Sequence, residues 1–259
     1  MAKYAPHLSL YKIVDIIKKI IDWVFWLIFF LSVLPTILNS LKPGFAIDDY
    51  VNVANIILIL LFFVLDIVVD YVLLPQAGDK RRDDFIDNSF GTKFSTNSSV
   101  EYFDNEELTI GIYKAAANLF ENCFFTLSLA NQITIKRIVL PALVLLTIWA
   151  LAFYGFKEMP FALSLLQVLF STNILGSLIR HLILLNRLNT IQDGWINIFQ
   201  IADFRTHPDN YRPLVYRNWL RYEALHSKIP ANIPIKVFNK LNPKLTEDWK
   251  KLKIKYDIY

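Results

Sequence analysis

The sequence predicts an all-α fold: a polytopic membrane protein with four transmembrane helices and a cytoplasmic helical lobe. Three observations support this fold class, namely long apolar runs, scarce glycine and a one-sided distribution of positive charge. Of the 259 residues, 54% are hydrophobic and only seven are glycine, whereas soluble domains are about 45–50% apolar. A β-barrel would instead show alternating segments of about ten residues, so the long runs favour helices.

Four apolar runs are each long enough to cross a hydrocarbon layer of about 30 Å as a helix rising about 1.5 Å per residue. The first run is too long for the apolar part of an ordinary signal peptide, and no small-residue cleavage site follows it. We therefore expect it to stay in place as a membrane anchor. The runs are Trp23–Leu41, Val51–Leu74, Ile138–Phe156 and Met159–Ile179.

The runs divide the chain into four predicted segments. All but Lys42 and Lys157 of the 27 Lys and Arg residues lie before the first run, between the second and third, or after the fourth. Because cytoplasmic segments carry the positive excess, we expect both termini in the cytoplasm. The segments are 1–78 (an amphipathic surface helix and two spans), 79–137 (a cytoplasmic insert), 138–179 (two spans) and 180–259 (a basic cytoplasmic tail).

Further helices are predicted outside the membrane. The insert should begin with a helix over 79–90, continue as a loop over 91–104, and enter a helix capped by Asp104 that runs from near Asn105 to Phe156. The fourth span should continue as a helix to Phe204 with a buried apolar stripe. In the tail we predict helices over 213–227, 235–241 and 247–256, the last of them capped by Thr246.

Two carboxylates in the second run are the sharpest functional pointer. Asp66 and Asp70 share one helical face with Asn52 and Asn55. Carboxylates are costly in hydrocarbon and usually face a protein interior or a water path. A stripe of this kind around the axis of an oligomer would form polar rings that select cations. Alternatively, the aspartates pair with Lys or Arg from a neighbouring helix, or lie in the cytoplasmic interface.

The tail carries a second candidate site, in which arginines alternate with aromatic residues. Guanidinium groups match phosphate geometry, and aromatic rings stack on bases, so the cluster predicts a phosphate-bearing ligand. The alternatives are docking on anionic lipid, pairing with the acidic insert, or an ordinary solvated face. The candidate ligand-binding residues are Arg205, Arg212, Arg217, Arg221, Tyr216 and Trp219, with Tyr211 and Tyr222 beside them.

Enzyme signatures are missing from the sequence. It contains no Gly-rich phosphate loop, no HExxH and no GxSxG motif, and its four histidines are scattered. We therefore expect neither catalysis nor a cofactor. Cys123, within the apolar segment NCFFTL, is expected to be a buried structural residue.

Two spans, an insert of about 60 residues, two more spans and a basic helical tail form a layout that resembles a known family. These are the four-transmembrane effectors of bacterial anti-phage defence systems that pair with a nucleotidyltransferase. The segment PQAGDKRRDDFIDNSFG is similar to that family's acidic-aromatic stretch after the second span, and LNTIQDGWINIFQ and YRNWLRYEALHSKIP in the tail are similar in character.

The resemblance implies a bacterial inner-membrane protein that forms an oligomeric channel or pore, for example a tetramer, whose opening harms the infected cell. It also implies control by a nucleotide or oligonucleotide made by a nucleotidyltransferase partner. Two other functions are compatible with the residues. One is a membrane transporter or enzyme that uses Asp66 as a proton or ion site, and the other is a non-conducting anchor that recruits a partner protein.

Overall fold

The computed structural model of the protein describes residues 7–41, 48–97, 99, 102–154 and 174–259. Within these ranges the regular structure is entirely helical, which confirms the all-α prediction. In chain order the elements are α1 (Leu8–Leu41), α2 (Asp48–Ile67), a π-helical turn (Val68–Leu73), α3 (Leu74–Phe90), α4 (Ile112–Tyr154), α5 (Leu175–Phe199), a 3-10 turn (Pro208–Tyr211), α6 (Arg212–Lys228) and α7 (Ile235–Lys255).

Two of the described helices are long and apolar enough to cross a membrane, which suggests membrane association. They lie within Asp49–Phe90 and Ile112–Ala150, and only 6% and 11% of their apolar windows are buried. The first contains the second predicted span, and the second contains residues 138–150 of the third. The first predicted span is helical within α1, whereas most of the fourth, Met159–Ile179, lies outside the described residues.

The chain divides into two compact units. We call Ile13–Leu73 with Thr134–Arg180 the apolar unit, and Met1–Lys12 with Leu74–Ile133 and His181–Tyr259 the lobe. The predicted insert and the predicted tail therefore contribute to the same unit. Helix α4 is continuous for 43 residues, as the sequence predicts, and its first half belongs to the lobe.

The lobe has an aromatic core. The ring of Phe120 lies edge-on to Trp249 at 5.3 Å, and Phe85 lies edge-on to Trp219 at 5.1 Å. Three successive alanines at the start of α4, each fully buried, allow neighbouring helices to approach closely. The apolar stripe predicted for α5 is confirmed as buried at Leu184, Leu188, Ile191, Trp195, Ile198 and Phe199.

A buried polar network joins the insert to α4 and α7. Asn105 donates from Nδ2 to Asn118 Oδ1 at 3.0 Å and to Glu121 Oε2 at 2.7 Å, and its Oδ1 accepts the indole N–H of Trp249 at 3.2 Å. Asn118 in turn donates to Asn88 Oδ1 at 2.8 Å. Buried polar groups are costly unless paired, so this network fixes the path of the insert across the core.

Three boundary predictions are wrong. Helix α5 ends at Phe199 rather than at Phe204. Helix α4 begins at Ile112 rather than near Asn105, because Gly111 has a φ of 140° and its N–H donates to Ser89 O at 2.8 Å. Asp104 is therefore not its cap.

The tail helix predicted to break near residue 241 is instead continuous. Helix α7 passes through Pro243, and Thr246 lies inside it. Proline removes one backbone hydrogen bond, but Leu245 and Trp249 just beyond it are buried. Their burial on one face holds α7 together across the proline.

Candidate functional site

Asp66 and Asp70 lie on either side of a change in helix type. Asp66 is in the last turn of α2, and Asp70 lies within the π-helical turn. Both side chains are exposed on the chain, in a segment whose neighbours are apolar. A π-helical turn shifts the helix face by one residue and is frequent at functional sites. The pattern of apolar residues along the sequence does not reveal it.

Lys18 of α1 is the cation within electrostatic reach of both carboxylates. Burial lowers the pKa of the Lys18 ammonium below its usual range, and the carboxylates of Asp70 and Asp66 act in the opposite direction. Arg137 and Arg180 add to the lowering and repel each other. The structure thus favours pairing of the aspartates with cations of the same chain, which is one of the alternatives open from the sequence.

This cluster is drawn from four separate helices of the apolar unit. Lys18 comes from α1, the carboxylates from α2 and the π-helical turn, Arg137 from α4 and Arg180 from α5. The cluster contains three cations and two carboxylates, a net charge of +1 when all five groups are ionised. We call these five residues the charge cluster.

The two asparagines of the predicted stripe have different surroundings. Asn55 donates from Nδ2 to Ser32 Oγ of α1 at 2.8 Å, and Ser32 donates to Ile28 O at 2.8 Å. Asn55 therefore joins α1 to α2, as polar side chains commonly do between membrane helices. Asn52 is exposed. Its place in a pore stays a prediction.

The arginines of the tail do not share a common contact. The Arg205 guanidinium lies 4.8 Å from the ring centroid of Tyr259, and Arg212 donates from Nε to Asp209 Oδ1 at 2.9 Å. Arg217 and Arg221, one turn apart on α6, are exposed. The exposed pair is the part of the predicted set that is most open to a ligand.

The aromatic residues of this set are partly taken up by packing. Trp219 contacts Phe85 edge-on and stacks on Phe90 at 6.4 Å, so it holds α6 against α3. Tyr216 contacts Trp219 at 6.3 Å and is 41% exposed. Tyr216 is thus the more accessible ring beside Arg217.

Sequence reasoning missed an enclosed ion pair in the lobe. Arg81 Nη2 lies 2.5 Å from Glu223 Oε2, with side chains that are 14% and 15% exposed. Arg82 reaches the same carboxylate at 3.6 Å. The two partners are 142 residues apart. The only hint in the sequence is a lone glutamate among the arginines of α6.

Two histidines border this ion pair. His7 lies edge-on to Tyr102 at 5.2 Å, and His226 lies 4.5 Å from the Tyr222 ring. Burial, reinforced by the Arg81 charge, lowers the pKa of His7 to about 4 and of His226 to about 3. Both rings are therefore neutral near pH 7.

Cys123 is buried, as predicted, and its thiol contacts Leu188 O at 3.7 Å. Across the described ranges, no group of three or more His, Cys, Asp or Glu side chains is arranged to hold a metal ion. No protein-family model, curated protein or solved structure matches the chain.

Proposed function

We propose that the protein is an oligomeric membrane effector that forms a ligand-gated, cation-conducting pore. The observation that carries the proposal is the exposed Asp66–Asp70 pair on an apolar helix, with Lys18 of the same chain within electrostatic reach. Carboxylates within an apolar membrane helix need water or a partner. Lys18, Arg137 and Arg180 together offset both carboxylates, so other cations reach the pair only when these side chains move away.

The charge cluster supports a gating role for Lys18. An ammonium group beside the two carboxylates competes with permeating cations for the same oxygen atoms. Arg137 and Arg180 repel Lys18, and they belong to helices α4 and α5, which also have residues in the lobe. A ligand that favours a different arrangement of these helices would shift Lys18 away from the carboxylates. In this proposal, that shift opens the pore.

The topology belongs to the same proposal. We propose four spans in the bacterial inner membrane, with both termini in the cytoplasm and several copies around an axis. The exposed apolar faces of α2 and α4 are compatible with lipid and with contacts between copies. A nucleotidyltransferase partner in an anti-phage system, as the resemblance implies, would supply the signal.

Currents across planar bilayers test the role of the aspartates. Asp66→Asn and Asp70→Asn should each reduce the preference for cations over anions. The matched control is Asp79→Asn, the same change at an exposed residue of α3 that pairs with Arg82, and it should conduct like the wild type. Unchanged selectivity in both variants would remove the aspartates from the pore. Substrate turnover without current would favour a transporter or enzyme.

Two adjacent lysines separate the gating idea from a general charge effect. Lys18→Gln should raise the current seen without ligand, because the carboxylates lose their resident cation. Lys19 pairs with Asp15 at 2.5 Å and is 61% exposed. Lys19→Gln removes the same charge and should leave the current unchanged. Equal effects from the two variants would contradict a gate at Lys18.

The proposed control by a nucleotide depends on the exposed arginines of α6. Arg217→Gln combined with Arg221→Gln should abolish the response to a panel of nucleotides and short oligonucleotides. Ligand-independent current in a Lys18→Gln background should persist. If the double variant keeps its response, the ligand binds elsewhere. If no nucleotide changes the wild-type current, the proposed control by nucleotides is wrong.

A further inference from the structure

Helix α7 presents a row of lysines beside its buried face. Leu245 and Trp249 of α7 are buried in the lobe. At about 100° per residue, lysines at positions 240, 244, 251 and 255 fall within about 60° of one another. All four are exposed. The row extends over about 22 Å of helix, and the function proposed above does not use it.

Three of these lysines line an open groove between α7 and α4. The groove has a volume of about 470 Å³, and Lys244, Lys251 and Lys255 lie on its α7 side. Ser128 and Gln132 of α4 line the other side together with Phe124. The groove therefore combines cations, neutral hydrogen-bond donors and an apolar surface.

One carboxylate moderates the charge of the groove. Asp248 also lines it and accepts a hydrogen bond from Lys251 at 3.0 Å. Three lysines and one aspartate leave a net charge of about +2, which suits a single phosphodiester better than a polyphosphate. The groove-lining residues include no arginine. Arginine would supply the forked contacts typical of tight nucleotide recognition.

The α4 side of the groove leads directly toward the apolar part of that helix. Gln132 precedes Ile138, where the third predicted span begins, by six residues. On a continuous helix this is about 9 Å, comparable with the depth of a lipid headgroup layer. Along α4 itself, a groove-lining residue is therefore separated from the predicted span by less than two helical turns.

We propose that the α4–α7 groove binds the phosphate of an anionic phospholipid in the cytoplasmic leaflet. The lysine ammonium groups meet the phosphodiester oxygens, and their methylene stems cover Phe124. The Ser128 hydroxyl and the Gln132 amide donate to the same oxygens. The proposal depends on the third span and is independent of conduction.

Lipid retention by the full-length protein tests the proposal. The protein in detergent would be titrated with phosphatidylglycerol or phosphatidylcholine, and the bound lipid counted by native mass spectrometry. The wild type should retain phosphatidylglycerol with at least tenfold preference. Lys244→Gln, Lys251→Gln and Lys255→Gln combined should lower that affinity at least tenfold. The preference should also fall at high salt.

A matched triple variant distinguishes a site from bulk charge. Lys236→Gln, Lys240→Gln and Lys250→Gln remove the same charge from exposed positions of α7 outside the groove lining, and affinity should change less than threefold. Gln132→Glu, a change at one exposed position of α4, should weaken binding and is the second test if the triple variant misfolds.

Three outcomes would overturn the proposal. Equal losses in the two triple variants would show bulk electrostatic attraction without a site. Equal retention of the two lipids would show that the groove does not read anionic charge. Displacement of phosphatidylglycerol by millimolar inorganic phosphate would show a site for a free anion rather than a lipid.

Discussion

The lobe and the apolar unit each contain a cluster of opposite charges, and the two clusters differ in how they are enclosed. Arg81 and Glu223 in the lobe are each nearly covered and are bordered by tyrosine and neutral histidine rings. In the apolar unit Lys18 is half-buried, while Asp66 and Asp70 are exposed. The enclosed pair is shielded from exchange with solvent ions and is reinforced by Arg82, so it fixes a structure. A half-open cluster can exchange partners, as a gate requires.

The largest expected effect comes from breaking the enclosed pair. Glu223→Gln leaves the Arg81 guanidinium buried without a carboxylate, and loss of one partner of a buried pair costs about 3–5 kcal/mol. The free energy of unfolding of the lobe, followed by tryptophan fluorescence in detergent, should fall by that amount.

Two further variants show whether this loss arises from enclosure. Asp79→Asn removes the other partner of Arg82, a carboxylate that is 67% exposed, and should cost less than about 1 kcal/mol. Arg81→Met combined with Glu223→Leu should recover most of the stability, because an apolar pair of similar volume often replaces a buried ion pair. If the double variant is as unstable as Glu223→Gln, the loss is not due to an unpaired charge.

Acid should weaken the lobe through the two neutral histidines. The pKa of His7 is about 4 and that of His226 about 3 in the folded protein, both below the unfolded value of about 6.5. Between these limits the unfolded chain binds more protons, so stability falls as the pH falls below about 6.5. Each histidine should change the unfolding equilibrium by up to about tenfold per pH unit.

His226→Gln isolates this contribution, because glutamine does not titrate. The variant should show a shallower loss of stability between about pH 6 and pH 4. His207→Gln is the control at an exposed position, where His207 bonds to Asp203 at 2.6 Å, and it should keep the full acid slope. Identical slopes for the wild type and His226→Gln would mean that His226 is already protonated in the folded lobe.

The sequence predicts the elements of both regions better than their charged contacts. Apolar runs predict the helical parts of α1, α2 and α4, and spacing predicts α3, α5 and α6. The π-helical turn and the start of α4 at Gly111 depend on packing and on one backbone angle. The Arg81–Glu223 pair joins residues 142 positions apart. A contact at that separation is set by tertiary structure, which local patterns do not encode.

The charge cluster was accessible in part from the sequence. Asp66 and Asp70 are conspicuous because an apolar run surrounds them, and the costs of burying charge predict a partner. The sequence did not show that Lys18, rather than its neighbour Lys19, lies near the aspartates. Which of two adjacent lysines faces another helix depends on the rotation of α1, and here the apolar pattern of α1 leaves that rotation open.

Lys18→Gln should have a much smaller effect on stability than Glu223→Gln. In the proposed pore, water reaches the two carboxylates that this variant releases, so we expect a change below about 1 kcal/mol in the unfolding free energy of the full-length protein. Lys19→Gln should be similar. A loss of about 3 kcal/mol or more for Lys18→Gln alone would place the charge cluster in the same structural class as the Arg81–Glu223 pair.

The smallest expected effect concerns neutral hydrogen bonds in the two regions. In the apolar unit Asn55 donates to Ser32 at 2.8 Å, and in the lobe the hydroxyls of Thr126 and Tyr222 lie 3.2 Å apart. Double-mutant cycles with Ser32→Ala and Asn55→Ala, and with Thr126→Val and Tyr222→Phe, measure each coupling energy. Membrane-helix hydrogen bonds average about 0.6 kcal/mol, and hydrogen bonds within folded proteins about 1 kcal/mol.

The difference between the two coupling energies tests whether the lobe is fixed while the helices of the apolar unit can move, as the two charge clusters suggest. A coupling near 0.6 kcal/mol for Ser32–Asn55 would mean that α1 and α2 are held weakly enough for Lys18 to move relative to the carboxylates. A coupling of about 2 kcal/mol or more would lock α1 against α2. The proposed displacement of Lys18 would then require breaking that lock, and gating would have to arise from α4 and α5 instead.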